Sequence, residues 1–181
     1  MAATDVDRNA TELPVETLDR AAMLDIACGI ASARELWAQH VRHDEAERRP
    51  VRVLATDVYE VWVIGWATGQ GVSLHDHGGS SGVVVVTEGR LTERARGGPP
   101  RRLEAGDVTE LGPDAVHEVF NAADEPATSV HVYSPPLAAM GYQLTDDGGP
   151  PVVIEGFGRE DPAIAVDAAT RVLHPSRRRD G

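Results

Sequence analysis

Residues 69–89, GQGVSLHDHGGSSGVVVVTEG, constrain this chain more than any other stretch. Glycines bracket an apolar strand pattern in which His75 and His77 stand two positions apart. Successive strand residues point to opposite faces, so the two imidazoles leave one face and Asp76 leaves the other. Such a pair can share a divalent metal ion, but it needs further ligands. A second punctuated stretch carries Gly106, Gly112-Pro113-Asp114, His117 and Asn121 through a strand, a turn and another strand. His117 offers the third nitrogen.

The rest of the chain reads as short strands separated by Gly, Pro and Asp turns, at residues 51–54, 59–66, 83–88, 91–96, 107–111, 115–122 and 129–133. Strands near 140–144 and 152–155 follow. Even spacing of this kind predicts a β-sandwich or barrel. The run YEVWVIGW at 59–66 is apolar on both faces, as an interior strand requires. GGPP at 97–100 reads as a plain loop. Ahead of the strands, Leu18, Ala22, Met23, Ile26, Ala27 and Ile30 recur at helical spacing, predicting a helix over 13–30. Ser32 and Glu35 have the spacing of a capping box for a second short helix. Cys28 falls on the apolar side of the first helix, where a small buried residue is expected. His40 and His43 sit in a polar run that reads as a solvated linker.

The expected organisation is an N-terminal polar segment (1–12), one domain (13–160) and a C-terminal extension (161–181), with a helix at 161–173 and a solvated Arg177–Arg179 tail. A domain of this size buries a sizeable core. Net charge is −12, from 29 acidic and 17 basic residues, which opposes binding to nucleic acid or an anionic membrane. All the basic residues are Arg, so Lys Schiff-base and phosphate-loop Lys chemistry are excluded. One cysteine permits no intrachain disulfide. The first residues lack an export signal and no run of about 18 apolar residues exists, so the expectation is a cytoplasmic protein.

The two histidine stretches resemble the paired motifs of the cupin superfamily, which implies an all-β fold, a double-stranded β-helix or jelly-roll barrel with short N-terminal helices. Gly82 stands where that motif carries a glutamate ligand. His75, His77 and His117 then form a neutral three-nitrogen set, which keeps the full charge on a divalent metal and favours an anionic ligand. Gly78, Gly79 and Gly82 are expected to leave room beside the metal.

WATGQGVSLHDHGGSSG, the spacing to His117 and SVHVYSPP at 129–136 resemble the cysteine dioxygenase family of thiol dioxygenases. The resemblance covers about residues 13–144. It implies Fe(II) on His75, His77 and His117, and a hydrogen-bonded relay of Ser129, His131 and Tyr133 beside the iron. Alternation puts those three on one strand face. It also implies an Arg for the substrate carboxylate, which by position falls on Arg52, with Arg48 and Arg49 as alternatives. A Cys that crosslinks to the relay Tyr in mammalian members is replaced by Gly82. The implied reaction converts L-cysteine and O2 to cysteine sulfinic acid in a monomeric enzyme. Alternatives are 3-mercaptopropionate as the thiol, a non-catalytic cupin that senses a small ligand, and a cupin isomerase or an oxygenase with another metal.

Overall fold

Period-two alternation in three strands decides how the layers stack. In β2 (Glu60–Trp66), Val61 and Val63 join one apolar cluster while Trp62, Ile64 and Trp66 join another. β4 (Ser81–Glu88) divides the same way, with Val83 and Val85 against Val86. In β9 (Ala127–Ser134), Val130 and Val132 face the first cluster and Tyr133 the second. Every residue of β2 and of β9 is buried, so both faces of their sheet must be covered.

The computed structural model describes residues 16–143 and 152–155 and shows the two covers. One is a second sheet. The first sheet runs β1 (Val51–Ala55), β2, β9, β4, β7 (Val108–Leu111); the second runs β11 (Val152–Glu155), β10 (Ala139–Tyr142), β3 (Gly71–His75), β8 (His117–Phe120), β5 (Arg90–Ala95), β6 (Arg101–Glu104). The paired strands are antiparallel. Between the sheets Trp62, Ile64 and Trp66 meet Val72, Leu91 and Val119. The other cover is helix α1 (Arg20–Ser32), whose Met23 and Ala27 pack on the valines of β2, β4 and β9. Full burial of one such valine is worth about 1.5–3 kcal/mol, so this seat holds α1 far more firmly than its own propensity could.

The helical part departs from expectation in three places. α1 starts at Arg20 rather than at residue 13, because Asp19 is extended and its carboxylate accepts the Ala22 N–H at 2.8 Å. Ser32 does not cap the second helix. It lies inside α1 and its hydroxyl donates to the Cys28 carbonyl at 2.6 Å, the back-bonding of a helical serine. The second helix, α2 (Arg34–Trp37), starts from Ala33 without a side-chain cap. Cys28 is exposed, because Met23 and Ala27, one turn apart, define the buried face and Cys28 lies a step round from it.

Among the strands, β6 is the element that alternation did not reveal. Its sequence RRLE buries only Leu103, and as an edge strand it pairs with β5 alone. His43 is exposed as expected yet not a loose linker residue, since its Nε2 lies 3.0 Å from Thr128 Oγ1 and 3.1 Å from the Ala127 carbonyl. Residues 1–12, the expected helix at 161–173, His174 and the arginine tail lie outside the described residues. Among the described residues no helix is long and apolar enough to cross a membrane.

Candidate metal centre and its pocket

β3 and β8 set two of the three histidines face to face. His75 and His117 are direct cross-strand partners, after a register shift between Val72 and His75. Bulges of this kind re-aim side chains. His77 follows two residues later in a loop that Asp76 holds. The Asp76 carboxylate accepts from the backbone N–H of Gly78 at 2.9 Å and of Gly141 at 3.1 Å. Asp76 therefore points away from the imidazoles, as strand alternation predicts. Ring centroids of the three histidines lie 4.7–5.1 Å apart, and one nitrogen from each falls within 4.8 Å of the others.

The donor set fits a divalent metal. His75 Nδ1 lies 2.8 Å from the Ser73 carbonyl and His117 Nδ1 lies 2.8 Å from Glu93 Oε1, which leaves both Nε2 atoms for the cluster. His77 is buried, and neither of its ring nitrogens has a hydrogen-bond partner. An orphaned buried imidazole is costly unless something binds it. Burial, helped by the neighbouring His117, pushes the His77 pKa down to about 3. His75 is lowered well below the ordinary range by burial and by His117 and His77. Neutral imidazoles keep the lone pairs that a metal takes.

The relay residues meet on β9. Ser129 Oγ lies 2.7 Å from His131 Nε2, and His131 Nδ1 lies 3.0 Å from the Tyr133 hydroxyl. All three are buried. The chain of contacts extends one residue beyond the expected three, because Trp66 Nε1–H donates to Ser129 Oγ at 2.9 Å. The Tyr133 ring stacks on His77 with centroids 5.0 Å apart, so the relay ends at the histidine cluster. Burial lowers the His131 pKa to about 3 and raises that of Tyr133. The imidazole is neutral and the phenol keeps its proton at neutral pH.

A cavity of about 50 Å³ lies beside the cluster, lined by His75, His117, His131, Tyr133, Tyr142 and Arg48 among others. At roughly 10–15 Å³ per water on this measure, it holds only a small molecule. Arg52, the expected anchor, does not line it. Its guanidinium pairs with the fully buried Glu60 at 3.2 Å and lies 5.7 Å from the Trp62 ring centroid. Glu60 in turn accepts from the Leu137 N–H at 3.0 Å, so Arg52 ties β1 to β2. Arg48 is buried instead, 4.7 Å over the Trp66 ring. Burial lowers its pKa to about 10, so it stays charged at neutral pH. Arg49 is exposed and pairs with Glu47.

The glycines expected to leave room do something else. A Cβ on Gly82 would come 2.9 Å from the Tyr133 ring, and one on Gly78 would come 2.5 Å from the Ala139 carbonyl oxygen. Gly82 and Tyr133 are cross-strand partners. The space is therefore filled by the phenol and by β10; only Gly79 has open surroundings.

Two residues beside the histidines, Tyr142 in the cavity wall and Glu93 behind it, were not singled out from the sequence. Tyr142, opposite His75 in the β3–β10 pairing, stacks on that imidazole at 5.9 Å. Glu93 is 7% exposed and accepts from Arg101 at 2.7 Å and Thr109 at 2.9 Å besides meeting His117. Burial raises its pKa, but hydrogen bonds from His117 and Arg101 outweigh that and hold it at about 2. The signal for Glu93 was present: Leu91 and Glu93 share the buried phase of β5, and a carboxylate in a core phase needs a partner.

Known proteins resemble this chain in sequence and in fold. Cysteine dioxygenase type 1 of Danio rerio is 32% identical over 93 residues, covering 44% of this chain and 46% of that protein. The chain thus matches about half the length of that relative. Among solved structures, a conserved protein with a double-stranded β-helix domain from Klebsiella pneumoniae superposes with a TM-score of 0.53 at 28% identity, over 57% of this chain and 90% of that one. A protein from Thermus thermophilus has a TM-score of 0.50 at 22% identity, over 54% and 92% of the two chains, and shares the fold. The two sheets form a double-stranded β-helix barrel like that of the Klebsiella pneumoniae protein. The family described as cysteine dioxygenase type I matches residues 15–142, a span that takes in both histidine motifs, the relay and the arginines before β1, and the chain belongs to that family.

Proposed function

We propose that this chain is a thiol dioxygenase that converts L-cysteine and O2 to cysteine sulfinic acid, with Fe(II) held by His75, His77 and His117. The observation that carries the reading is the relay Trp66–Ser129–His131–Tyr133, which ends in a phenol stacked on His77. When bound, ferrous iron supplies a site for O2 and for the thiolate sulfur. In the net reaction the S–H and O–O bonds break and two S–O bonds form. Sulfur gives up four electrons to O2, and the thiol proton leaves with the sulfinic acid.

The protein's part is binding, orientation and control of a proton. Trp66 donates to Ser129 Oγ, which directs the serine hydroxyl proton towards His131 Nε2. His131, neutral, then donates from Nδ1 to the Tyr133 oxygen. That polarity leaves the phenolic O–H free to donate into the cavity, where it can hold an oxygen or sulfur atom in place. Arg48 takes the substrate carboxylate in this reading, in place of Arg52, because it is buried in the cavity wall and a guanidinium grips a carboxylate by two bonds. Apolar walls from Trp62, Ile64 and Val119 exclude water from the reacting atoms.

A second reading keeps the chemistry and changes the thiol to 3-mercaptopropionate. Among the described residues no Asp or Glu lines the cavity, so a substrate ammonium has no anionic partner among them. O2 uptake by iron-loaded protein, with L-cysteine, 3-mercaptopropionate and cysteamine in parallel and sulfinate quantified, tests both. Sulfinate from cysteine ahead of the others supports the first reading. Sulfinate from 3-mercaptopropionate ahead of cysteine supports the second, and no thiol-dependent uptake contradicts both.

A further inference from the structure

The three histidines are not equivalent. His75 faces a backbone carbonyl through Nδ1, and His77 has no hydrogen-bond partner at all. His117 alone faces a carboxylate, Glu93 Oε1 at 2.8 Å. That carboxylate is itself fixed: Arg101 on β6 and Thr109 on β7 both donate to it, and β5, which carries it, pairs with β8, which carries His117. The β5–β8 ladder, with Ala95 opposite His117 and Glu93 opposite Val119, brings the carboxylate to the imidazole. Gly82, by contrast, leaves the histidine set without a carboxylate of its own.

We propose that Glu93 is the positioning residue of the metal site: its carboxylate locks His117 with the proton on Nδ1, presents Nε2 to the metal, and places one negative charge directly behind an otherwise neutral ligand set. The inference rests on the reading of His75, His77 and His117 as ligands. An imidazole that donates to a carboxylate is a stronger donor and cannot rotate or swap tautomer without breaking that bond. The negative charge that a cupin glutamate would put on the metal is thus moved one residue back, where it strengthens binding without occupying a coordination position. Those positions stay available to thiol and O2.

The test uses the full chain without iron turnover. Nitrogen-15 NMR of the metal-free wild type should show His117 as the Nδ1–H tautomer. Glu93→Gln, which keeps the shape and removes the charge, should weaken Co(II) and Zn(II) binding by about tenfold or more, the usual cost of losing a partner behind a metal-bound histidine. It should also shift the visible absorption bands of bound Co(II), which a merely structural residue would leave in place. Thr109→Val, which removes one donor to Glu93, should give a smaller loss in the same direction. An Nε2–H tautomer at His117 in the wild type overturns the proposal even if Glu93→Gln does not fold. So do unchanged affinity and an unchanged Co(II) spectrum in a folded Glu93→Gln. A wild type that binds neither metal would remove the ligand reading itself, a failure distinct from both.

Discussion

The two ends of the pocket are built differently. The metal end is held mainly by strands: His75 and His117 face each other across a ladder, Ser129, His131 and Tyr133 occupy one phase of a fully buried strand, and His77 stands in the short loop that the Asp76 carboxylate pins. The arginine end hangs from the segment before β1, where Arg48 lies outside any strand and is held by burial over Trp66. Strand register fixes side-chain direction to a face and a level. A segment without register fixes neither. The metal end is accordingly the better determined in direction, and in the proposed reading the arginine end is where substrate preference can change at small structural cost.

The largest break comes at the metal end. Replacing His77 by Ala removes an imidazole that has no hydrogen-bond partner, and if it is a ligand as proposed, metal affinity should fall by more than about 100-fold, beyond the cost of losing a partner behind a ligand. Calorimetric titration with Zn(II) checks this, and the metal-free variant should remain folded. Tyr133→Phe, which keeps the stacking on His77 and deletes the hydroxyl, should lower kcat by about 100-fold, in the range of a positioned proton donor, with metal affinity unchanged.

The carboxylate end sharpens the comparison through a pair of arginines. Arg48→Gln should raise KM for L-cysteine by about 10- to 100-fold, the worth of one charged hydrogen-bonded contact at roughly 1.5–3 kcal/mol. KM for cysteamine, which has no carboxylate, should not move. Arg52→Gln should act on the fold instead. It leaves the buried Glu60 short of a partner, so stability should fall by about 1–3 kcal/mol while the KM values stay put. A KM effect at Arg52 and none at Arg48 would restore the assignment that position along the chain first favoured.

The last effect is on pH, and it is spread over several pH units. His77 and His131 titrate near 3 in the folded chain against an ordinary value of 6.5. Below about pH 6.5 the unfolded chain takes up protons that the folded chain refuses until about pH 3. Their contribution is therefore whole above pH 6.5 and is lost on acidification, at up to about 1.4 kcal/mol per pH unit for each group. Denaturant midpoints of the metal-free protein should fall across this window, and His131→Gln should flatten the fall.

What could be read beforehand follows the same division. Alternation alone placed Ser129, His131 and Tyr133 on one face and turned Asp76 away from His75 and His77. It could not choose among Arg48, Arg49 and Arg52, because nothing periodic governs Arg48 and Arg49 before β1, and Arg52 in β1 is claimed by the buried Glu60. Glu93 was legible only as an acid in a core phase. β6 was hidden because an edge strand with one buried residue has no alternation to show. Gly82 was seen as a missing ligand, but that its place is taken by the Tyr133 ring required the β4–β9 register.

The central claim, that both atoms of O2 are put on the sulfur of a small thiol, is tested most directly by isotope. Iron-loaded protein turning over L-cysteine under isotopically heavy O2 should give cysteine sulfinic acid carrying two heavy oxygens and no label from solvent water. A sulfinate with one heavy oxygen or none, or cystine with hydrogen peroxide as the only products, would contradict it.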